Sequence, residues 1–449
     1  MGKLFGTDGV RGVAGEDLSC ELALNIGRGA AAVLTAHLSH RPRILIGKDT
    51  RISGDMLENA LAAGLCSVGA DVELLGVIPT PAVAYLVRLY GADAGVVISA
   101  SHNPVEFNGI KIFSSDGYKL PDEVENEIEA HVLENCQGLT LCTGPDVGRV
   151  TRRDGALDDY VDYLAKAIDA DLSGLRVAVD CANGAASQVA KALFPRLGAD
   201  CTFIGAEPDG CNINLDCGST HPEALQALVV ESGADVGLAF DGDADRLIAV
   251  DETGKIVDGD EMLVVCGRAL KEKGQLPGDT VVATVMSNMG LDIALRQSGI
   301  RVERTAVGDR YVLERMLQGG YVLGGEQSGH IIFLRDNTTG DGIQTALHLL
   351  SILTETGQPL SALAAQMQRL PQVLVNVPCA GEKKHAFAED TAICARIGEI
   401  EAELAGCGRV LVRPSGTEAL VRVMLEGPDE AMLHRSAEDL AALLRARLS

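Results

Sequence analysis

Three hydrophobic runs set the rhythm of the chain: Arg43–Ile46 (RILI), Arg176–Val179 (RVAV) and Thr280–Val285 (TVVATV). Each passes into a polar turn, Gly47–Arg51 (GKDTR), Asp180–Ala185 (DCANGA) and Met286–Gly290 (MSNMG), and then into an Ala/Leu-rich stretch that predicts a helix. A Gly-led return follows each time, at Gly69–Leu75, Gly198–Ile204 and Gly299–Arg304, and predicts a second strand. A further hydrophobic strand then runs into an unusual loop: Gly91–Pro104 (GADAGVVISASHNP), Gly233–Arg246 (GADVGLAFDGDADR) and Gly319–His330 (GGYVLGGEQSGH). Self-similarity of this kind indicates one supersecondary unit used three times. Near-continuous Val/Ile/Leu strands alternating with helices predict mixed or parallel sheets covered on both faces. Ligands of such layers collect beyond the carboxyl ends of the strands, where all three loops fall.

From about Leu370 the pattern changes. Gln372–Val377 predicts a strand, and Ala386–Ala405 a helix with Ile393, Ile397, Ile400 and Leu404 on one stripe. Gly408–Val412 and Ala419–Leu425 predict strands joined by Arg413–Glu418 (RPSGTE), and Asp429–Leu448 a terminal helix. The expected fold is α/β: three similar mixed α/β sandwich domains plus a smaller C-terminal α+β domain, around a central cleft. Their expected bounds are 1–152, 153–255, 256–369 and 370–449.

Charge and composition narrow what such a fold binds. The formal net charge of -25 disfavours nucleic-acid backbones and anionic membranes, because both reward Lys and Arg. A phosphate site must therefore be a local cluster of cations on an acidic background. Aromatic residues make up 3% and Trp is absent, so base-stacking platforms are not expected. The 12 cysteines include no CxxC and no paired zinc spacing; they read as small buried hydrophobes of a reducing compartment. Residues 1–15 are polar and Gly-rich rather than signal-like, and no apolar run approaches the roughly 18–20 residues of a membrane span. A cytoplasmic protein is expected.

Four loops carry chemistry. In Asp241–Arg246 (DGDADR) three carboxylates at alternate positions point to one side of an extended segment. Hard oxygen ligands so spaced suit Mg²⁺ or Mn²⁺, and three crowded carboxylates without a cation would repel one another. A calcium-binding EF-hand could use Asp241, Asp243, Asp245 and Glu252, but Arg246 stands where its sharp turn needs Gly, and the flanks predict strands. A plain acidic surface turn fits poorly after the buried VGLAF run. Ser99–Pro104 (SASHNP) places Ser101 at a strand-to-loop junction beside His102 and Asn103, as a nucleophile or phosphoryl carrier. Lys111 follows, a candidate to ease removal of the serine proton or to neutralise phosphate oxygens. No GxSxG elbow is present, which argues against acyl transfer; a hydrogen-bonded Ser/Asn/Pro turn is the structural alternative. Gly324–His330 (GGEQSGH) offers a carboxylate, an amide, a hydroxyl and an imidazole, a set able to hold sugar hydroxyls or an amino group. Glu326 suits a sugar amine and His330 a proton shuttle. Arg413–Thr417 (RPSGT) gathers a guanidinium, hydroxyls and backbone N–H groups into an anion-binding turn. Together these are the parts of phosphoryl transfer, which asks chiefly for positioning and charge neutralisation.

With these motifs in order, the chain resembles the α-D-phosphohexomutase superfamily along its whole length, from Phe5–Gly12 (FGTDGVRG) to the RPSGT loop. The resemblance implies that Ser101 is the active-site phosphoserine, and that Asp241, Asp243 and Asp245 hold one Mg²⁺ per chain with a phosphate oxygen on Ser101. Glu326 and Ser328 match sugar-binding residues, with Gln327 counted in the same set. Arg413, Ser415, Gly416 and Thr417 match the loop that holds the phosphate not being transferred. Arg11, His102, Lys111, Arg246 and His330 match polar positions around the reacting phosphate. Gln327, where relatives often carry Met, together with Thr305–Val312 (TAVGDRYV) and Cys217–His221 (CGSTH), looks like the branch that acts on glucosamine phosphates. The implied reaction interconverts glucosamine 6-phosphate and glucosamine 1-phosphate through a glucosamine 1,6-bisphosphate and feeds UDP-N-acetylglucosamine synthesis. Glucose or glucosamine 1,6-bisphosphate is the implied activator. The expected partner is a sugar phosphate, with no nucleic acid and no membrane; relatives suggest a homodimer. Three alternatives stay open: a mutase of glucose or mannose phosphates, a phosphatase that passes the phosphoryl to water, and a sugar-phosphate or calcium sensor without turnover.

Overall fold

A computed structural model describes residues 4–6, 8–36, 38–379, 383–404, 406–414 and 420–448. They form two compact units, one of Met1–Met286 with Ser298–Gln366 and one of Ser287–Gln297 with Met367–Ser449.

The first unit contains three sheets, and each repeats one arrangement. In the seven-stranded sheet, Arg43–Lys48 lies parallel to both Asp71–Val77 and Ala94–Ile98, and Phe107–Ser114 returns antiparallel to Ala94–Ile98. In the second sheet Arg176–Asp180 lies parallel to Asp200–Ile204 and Val236–Phe240, and Leu247–Asp251 returns antiparallel. In the third, Thr280–Thr284 lies parallel to Arg301–Thr305 and Leu323–Gly325, and Ile331–Phe333 returns antiparallel. The predicted strand, return and third strand are thus all parallel, and each unit adds an antiparallel fourth strand. The unusual loop is always the hairpin between the third and fourth. The first sheet adds Phe5–Gly6, Gly9–Val13 and Val150–Arg152 at its edges. Ile256–Val257 pairs antiparallel with Leu247–Asp251, so the second sheet runs past the boundary expected at 255.

Side-chain alternation explains why these strands are apolar throughout. Ile44, Ile46, Val96 and Ile98 share one core with Ile26 of helix Cys20–Thr35 and Leu57, Leu61 and Leu65 of helix Ser53–Ser67. Helix Thr80–Tyr90 packs on strands of the same sheet. Two helices can cross closely on the first face because Gly64 has no side chain; a Cβ there would lie 2.1 Å from the Leu24 carbonyl oxygen. Helix Gly259–Glu272 begins with a capping box, Asp258 bonding backbone N–H groups of the first turn and Glu261 reaching back to the Asp258 N–H.

The second unit is the smaller α+β body. Its antiparallel sheet has the order Gln372–Pro378, Leu420–Glu426, Arg409–Pro414. Val421, Val423 and Leu425 point into a core with Ile393, Ile400, Leu433, Leu440 and Leu444. The helix expected over Ala386–Ala405 is shorter: Ala386–Ala388 is a single 3₁₀ turn, and the helix proper is Thr391–Glu403. Asp390 explains the break, because its side chain accepts from the N–H groups of Ala392 and Ile393 and so starts a new helix. Among the described residues no helix is long and apolar enough to cross a membrane.

Candidate active site

The acidic hairpin of the second sheet forms the floor of the site. Strand Val236–Phe240 is buried at every position, and Leu247 faces Phe240 where the chain returns. The turn between them is held from the third sheet's segment: Leu247 N donates to the Gly329 carbonyl at 3.1 Å, and Gly342 N to the Ala244 carbonyl at 3.0 Å. Asp241, Asp243 and Asp245 are all buried, and one carboxylate oxygen from each lies within 4.8 Å of the others. Asp243 Oδ2 accepts from Thr80 Oγ1 at 2.6 Å and Lys111 Nζ at 2.9 Å. Asp243 Oδ1 and Asp245 Oδ1 have no hydrogen-bond partner. Buried carboxylate oxygens without donors are costly. Two of them within one acidic triad fit a divalent cation with hard oxygen ligands. Burial, then the charges of Asp245 and Asp243, push the Asp241 pKa well above the usual carboxylate range, which a cation there would reverse. The triad thus has the donor set for a divalent metal.

Ser101 meets the triad from the first sheet. It follows strand Ala94–Ile98, is buried, and has a left-handed φ of 52°. Its Oγ donates to Asp241 Oδ2 at 2.6 Å and lies 3.4 Å from His102 Nδ1. Ser101 N donates to Ser99 Oγ at 3.0 Å, and Ser99 Oγ to Asp49 Oδ2 at 2.6 Å. Buried Arg51 bonds Asp49 through Nε at 2.9 Å and spreads its other nitrogens over the carbonyls of Ser101, Asn103 and Pro104. Burial, then Arg246 and Arg11, lower the His102 pKa to about 4, so this ring is neutral at pH 7.

Cations ring the carboxylates. Lys111 Nζ is 2.9 Å from Asp243, 3.0 Å from Asp8 and 3.7 Å from Asp245. Burial opposes its charge, but Asp243, Asp8 and Asp245 outweigh it and raise its pKa, so Lys111 stays an ammonium. Arg246 Nε is 3.7 Å from Asp245 Oδ1, and its backbone N–H donates to Asp241 Oδ1 at 3.2 Å. Arg11 bonds Asp8. Lys119 bridges Asp8 and Asp309, 2.5 Å from each. His330 Nδ1 faces Asp245 Oδ2 at 3.6 Å, and Nε2 accepts from Gly340 N at 3.2 Å, which puts the neutral ring's proton on Nδ1. Burial works against a charged ring, but Asp245 and Asp309 prevail and raise the His330 pKa.

The loop expected to hold the sugar is the hairpin after Leu323–Gly325. Glu326 accepts from Gly308 N at 3.1 Å and lies near enough to Arg246 to favour that residue's charge. Gln327 Nε2 instead donates to Asp258 Oδ2 at 3.1 Å, next to the helix cap, and Ser328 is exposed.

Of the residues singled out in the sequence, Ser101, His102, Lys111, the three aspartates, Arg246, His330 and Arg11 come together here. Asp8, Thr80, Lys119, Asp309, Asp49, Arg51 and Asn214 were missed, although most stand inside quoted motifs (FGTDGVRG, GKDTR, TAVGDRYV). Ser415, Gly416 and Thr417 lie outside the described residues. Arg413, in the second unit, sits directly opposite Arg422 across two paired strands. Burial and Arg422 lower its pKa, and like charges facing each other across a ladder favour a bound anion.

Comparison with known proteins gives one consistent result. Family models described as phosphoglucomutase/phosphomannomutase match four successive segments: α/β/α domain I at 2–138, domain II at 158–254, domain III at 258–370 and the C-terminal domain at 374–443. The chain is 58% identical over 448 residues to the phosphoglucosamine mutase of Acetivibrio thermocellus, covering 100% of each chain. It is 58% identical over 449 residues to that of a Thermoanaerobacter species, again covering 100% of each. A crystal structure of a phosphoglucomutase/phosphomannomutase family protein from Burkholderia thailandensis is similar with a TM-score of 0.81 at 27% identity, over 99% of this chain and 97% of that one.

Proposed function

The chain belongs to the phosphoglucomutase/phosphomannomutase family, and we propose that within it the chain interconverts glucosamine 6-phosphate and glucosamine 1-phosphate, with Ser101 as phosphoryl carrier. The observation that carries this reading is the Ser101 hydroxyl held 2.6 Å from Asp241 inside a buried acidic triad. Binding alone needs no such hydroxyl, and a hydrolase needs no second phosphate clamp.

The resting enzyme carries phosphate on Ser101. Asp241, Asp243 and Asp245 would hold Mg²⁺, which supplies charge neutralisation at the phosphoryl oxygens. Lys111, kept charged by Asp243 and Asp8, and Arg246, kept charged by Asp245 and Asp241, stabilise the charge spread over the group in flight. Glu326 accepts hydrogen bonds from the sugar's hydroxyl or ammonium groups. Arg413, with Ser415, Gly416 and Thr417, binds the phosphate that is not transferred, so binding energy at one end orients the other. The phosphoryl passes from Ser101 to the sugar 1-hydroxyl, giving glucosamine 1,6-bisphosphate. The bisphosphate turns over, and its 6-phosphoryl returns to Ser101, leaving glucosamine 1-phosphate. A glucose or glucosamine 1,6-bisphosphate would rephosphorylate chains that have lost the group. All twelve cysteines are unpaired in the fold, which supports a reducing compartment, the cytoplasm, where the product would feed UDP-N-acetylglucosamine synthesis.

Rates on the phosphates of glucosamine, glucose and mannose test the assignment. The expected order puts glucosamine phosphate first by about 10-fold or more, the scale of one lost hydrogen bond to a charged group. Equal or faster turnover of glucose or mannose phosphate would reassign the substrate, and release of inorganic phosphate in place of isomer would make the protein a phosphatase.

A further inference from the structure

We propose that Asn214 is a positioning residue for phosphoryl transfer, holding the reactive serine against the acidic triad through the Ser101 carbonyl. The proposal rests on the mutase reading above. Ser101 has a φ of 52°, a region that residues with a side chain avoid, so its neighbours must fix it there. Its carbonyl accepts from Asn214 Nδ2 at 2.8 Å and from Arg51 Nη2 at 3.0 Å. The Asn103 carbonyl accepts from the same two groups, at 3.0 Å and 2.8 Å. With two carbonyl oxygens facing it, this end of Asn214 is the NH₂.

The third wall of the slot is the metal-binding turn itself. A Cβ on Gly242, between two of the aspartates, would lie 2.5 Å from the Ser101 carbonyl oxygen and 3.0 Å from Asn214 Nδ2. The Ser101 peptide is therefore trapped between an amide, a guanidinium and the backbone that carries Asp241 and Asp243. Fixing that peptide fixes the Cα–Cβ direction, and with it the Oγ that reaches Asp241.

Asn214 is itself well anchored. It is buried, has a φ of 58°, a conformation Asn tolerates, and its N–H donates to the Ala182 carbonyl at 2.9 Å. Its loop is fastened beside the GKDTR turn by Ile52 N to the Gly210 carbonyl at 2.8 Å, and Thr50 Oγ1 ties the neighbouring DCANGA turn to the same place through the Asn183 carbonyl at 2.6 Å. The second sheet's segment thus supplies both the aspartates and the amide that aims the serine at them. Arg51 makes the same carbonyl contacts but is also paired with buried Asp49, so removing it would strand a charge. Asn214 is neutral and is the cleaner probe.

Two variants test this. Asn214→Gly keeps the backbone conformation and removes both donors. Asn214→Asp keeps the shape and turns the donor into an acceptor facing two carbonyls. Steady-state kinetics on glucosamine 6-phosphate, per folded chain, should show kcat lower by about 10–100-fold, as expected for a misplaced reacting group, with KM within about twofold. The ³¹P resonance of the phosphoserine enzyme should shift or broaden in the same variants. If Asn214→Asp does not fold, Asn214→Gly carries the test. Unchanged kcat in a folded variant, or a raised KM with unchanged kcat, overturns the proposal. Wild-type protein that fails to interconvert glucosamine phosphates would instead sink the mutase reading beneath it.

Discussion

Asp243 has one oxygen engaged and one open: Oδ2 accepts from Thr80 and Lys111, while Oδ1 has no hydrogen-bond donor. Asp243→Asn removes one of the three carboxylates around Lys111 and replaces a hard anionic ligand with an amide. Metal affinity should fall by about 10–100-fold or more, the range seen when a metal site's support is weakened. Mutase activity should then need higher Mg²⁺, and a wild-type Mg²⁺ titration curve in this variant would contradict the assignment. Asp341 is another buried carboxylate, outside the triad. It caps helix Gly342–Thr356 and takes a bond from Tyr160 Oη at 2.6 Å, and burial pushes its pKa up to about 6. A carboxyl raised in the fold contributes stability that is complete below its ordinary pKa and lost as pH rises through the raised value. Asp341→Asn keeps a capping side chain without the titration. Between about pH 4 and about pH 8 the stability of wild type relative to this variant should drop by up to about 3 kcal/mol; a difference that is flat with pH in denaturant melts would rule this out. Residues of both kinds differ in how far the sequence announces them. The triad is written in its own spacing, and Ser101 in its place at the end of an apolar strand. Lys119, Asp309 and Asn214 are single polar letters whose partners here stand more than a hundred residues away, so only tertiary contact gives them a role. Gln327 shows the reverse: its motif suggested the sugar, and its amide meets the cap of a neighbouring helix.

Elements follow the hydrophobic rhythm more directly. Strand, return, third strand and loop were readable three times because buried parallel strands leave little room for polar letters. The antiparallel fourth strand, which turns each loop into a hairpin, was less visible, since its apolar run resembles the others and direction leaves no mark in composition. Helix starts were set by side chains that periodicity ignores, as at Asp390. Close helix packing depends on positions of another kind. At Gly64 an added methyl gains up to about 1 kcal/mol in helix propensity. It also meets the Leu24 carbonyl oxygen at 2.1 Å, and overpacking of that sort costs about 1–3 kcal/mol. Backbone cannot rotate aside, so the clash should win: Gly64→Ala is expected to melt below wild type without altering KM. A variant melting at or above wild type would show that the two helices part at no cost.

Across the whole molecule, a chain of net charge -25 builds its phosphate chemistry by local concentration. Lys111, Lys119, Arg11 and Arg246 are drawn around the acidic residues of the site, and a cation held by the triad would complete the balance. Repetition makes that possible. Three copies of one sheet motif end in three hairpins, and these bring the Ser101 hydroxyl, the three aspartates and the Glu326 loop to one place. The most direct test follows the phosphate. Protein turning over glucosamine 6-phosphate labelled in its phosphate, with a trace of sugar 1,6-bisphosphate, should acquire label at Ser101, one phosphate per chain, at a rate no slower than isomer formation. Ser101→Ala should neither label nor isomerise. Isomerisation at the wild-type rate with Ser101 unlabelled, or with alanine in its place, would contradict the account.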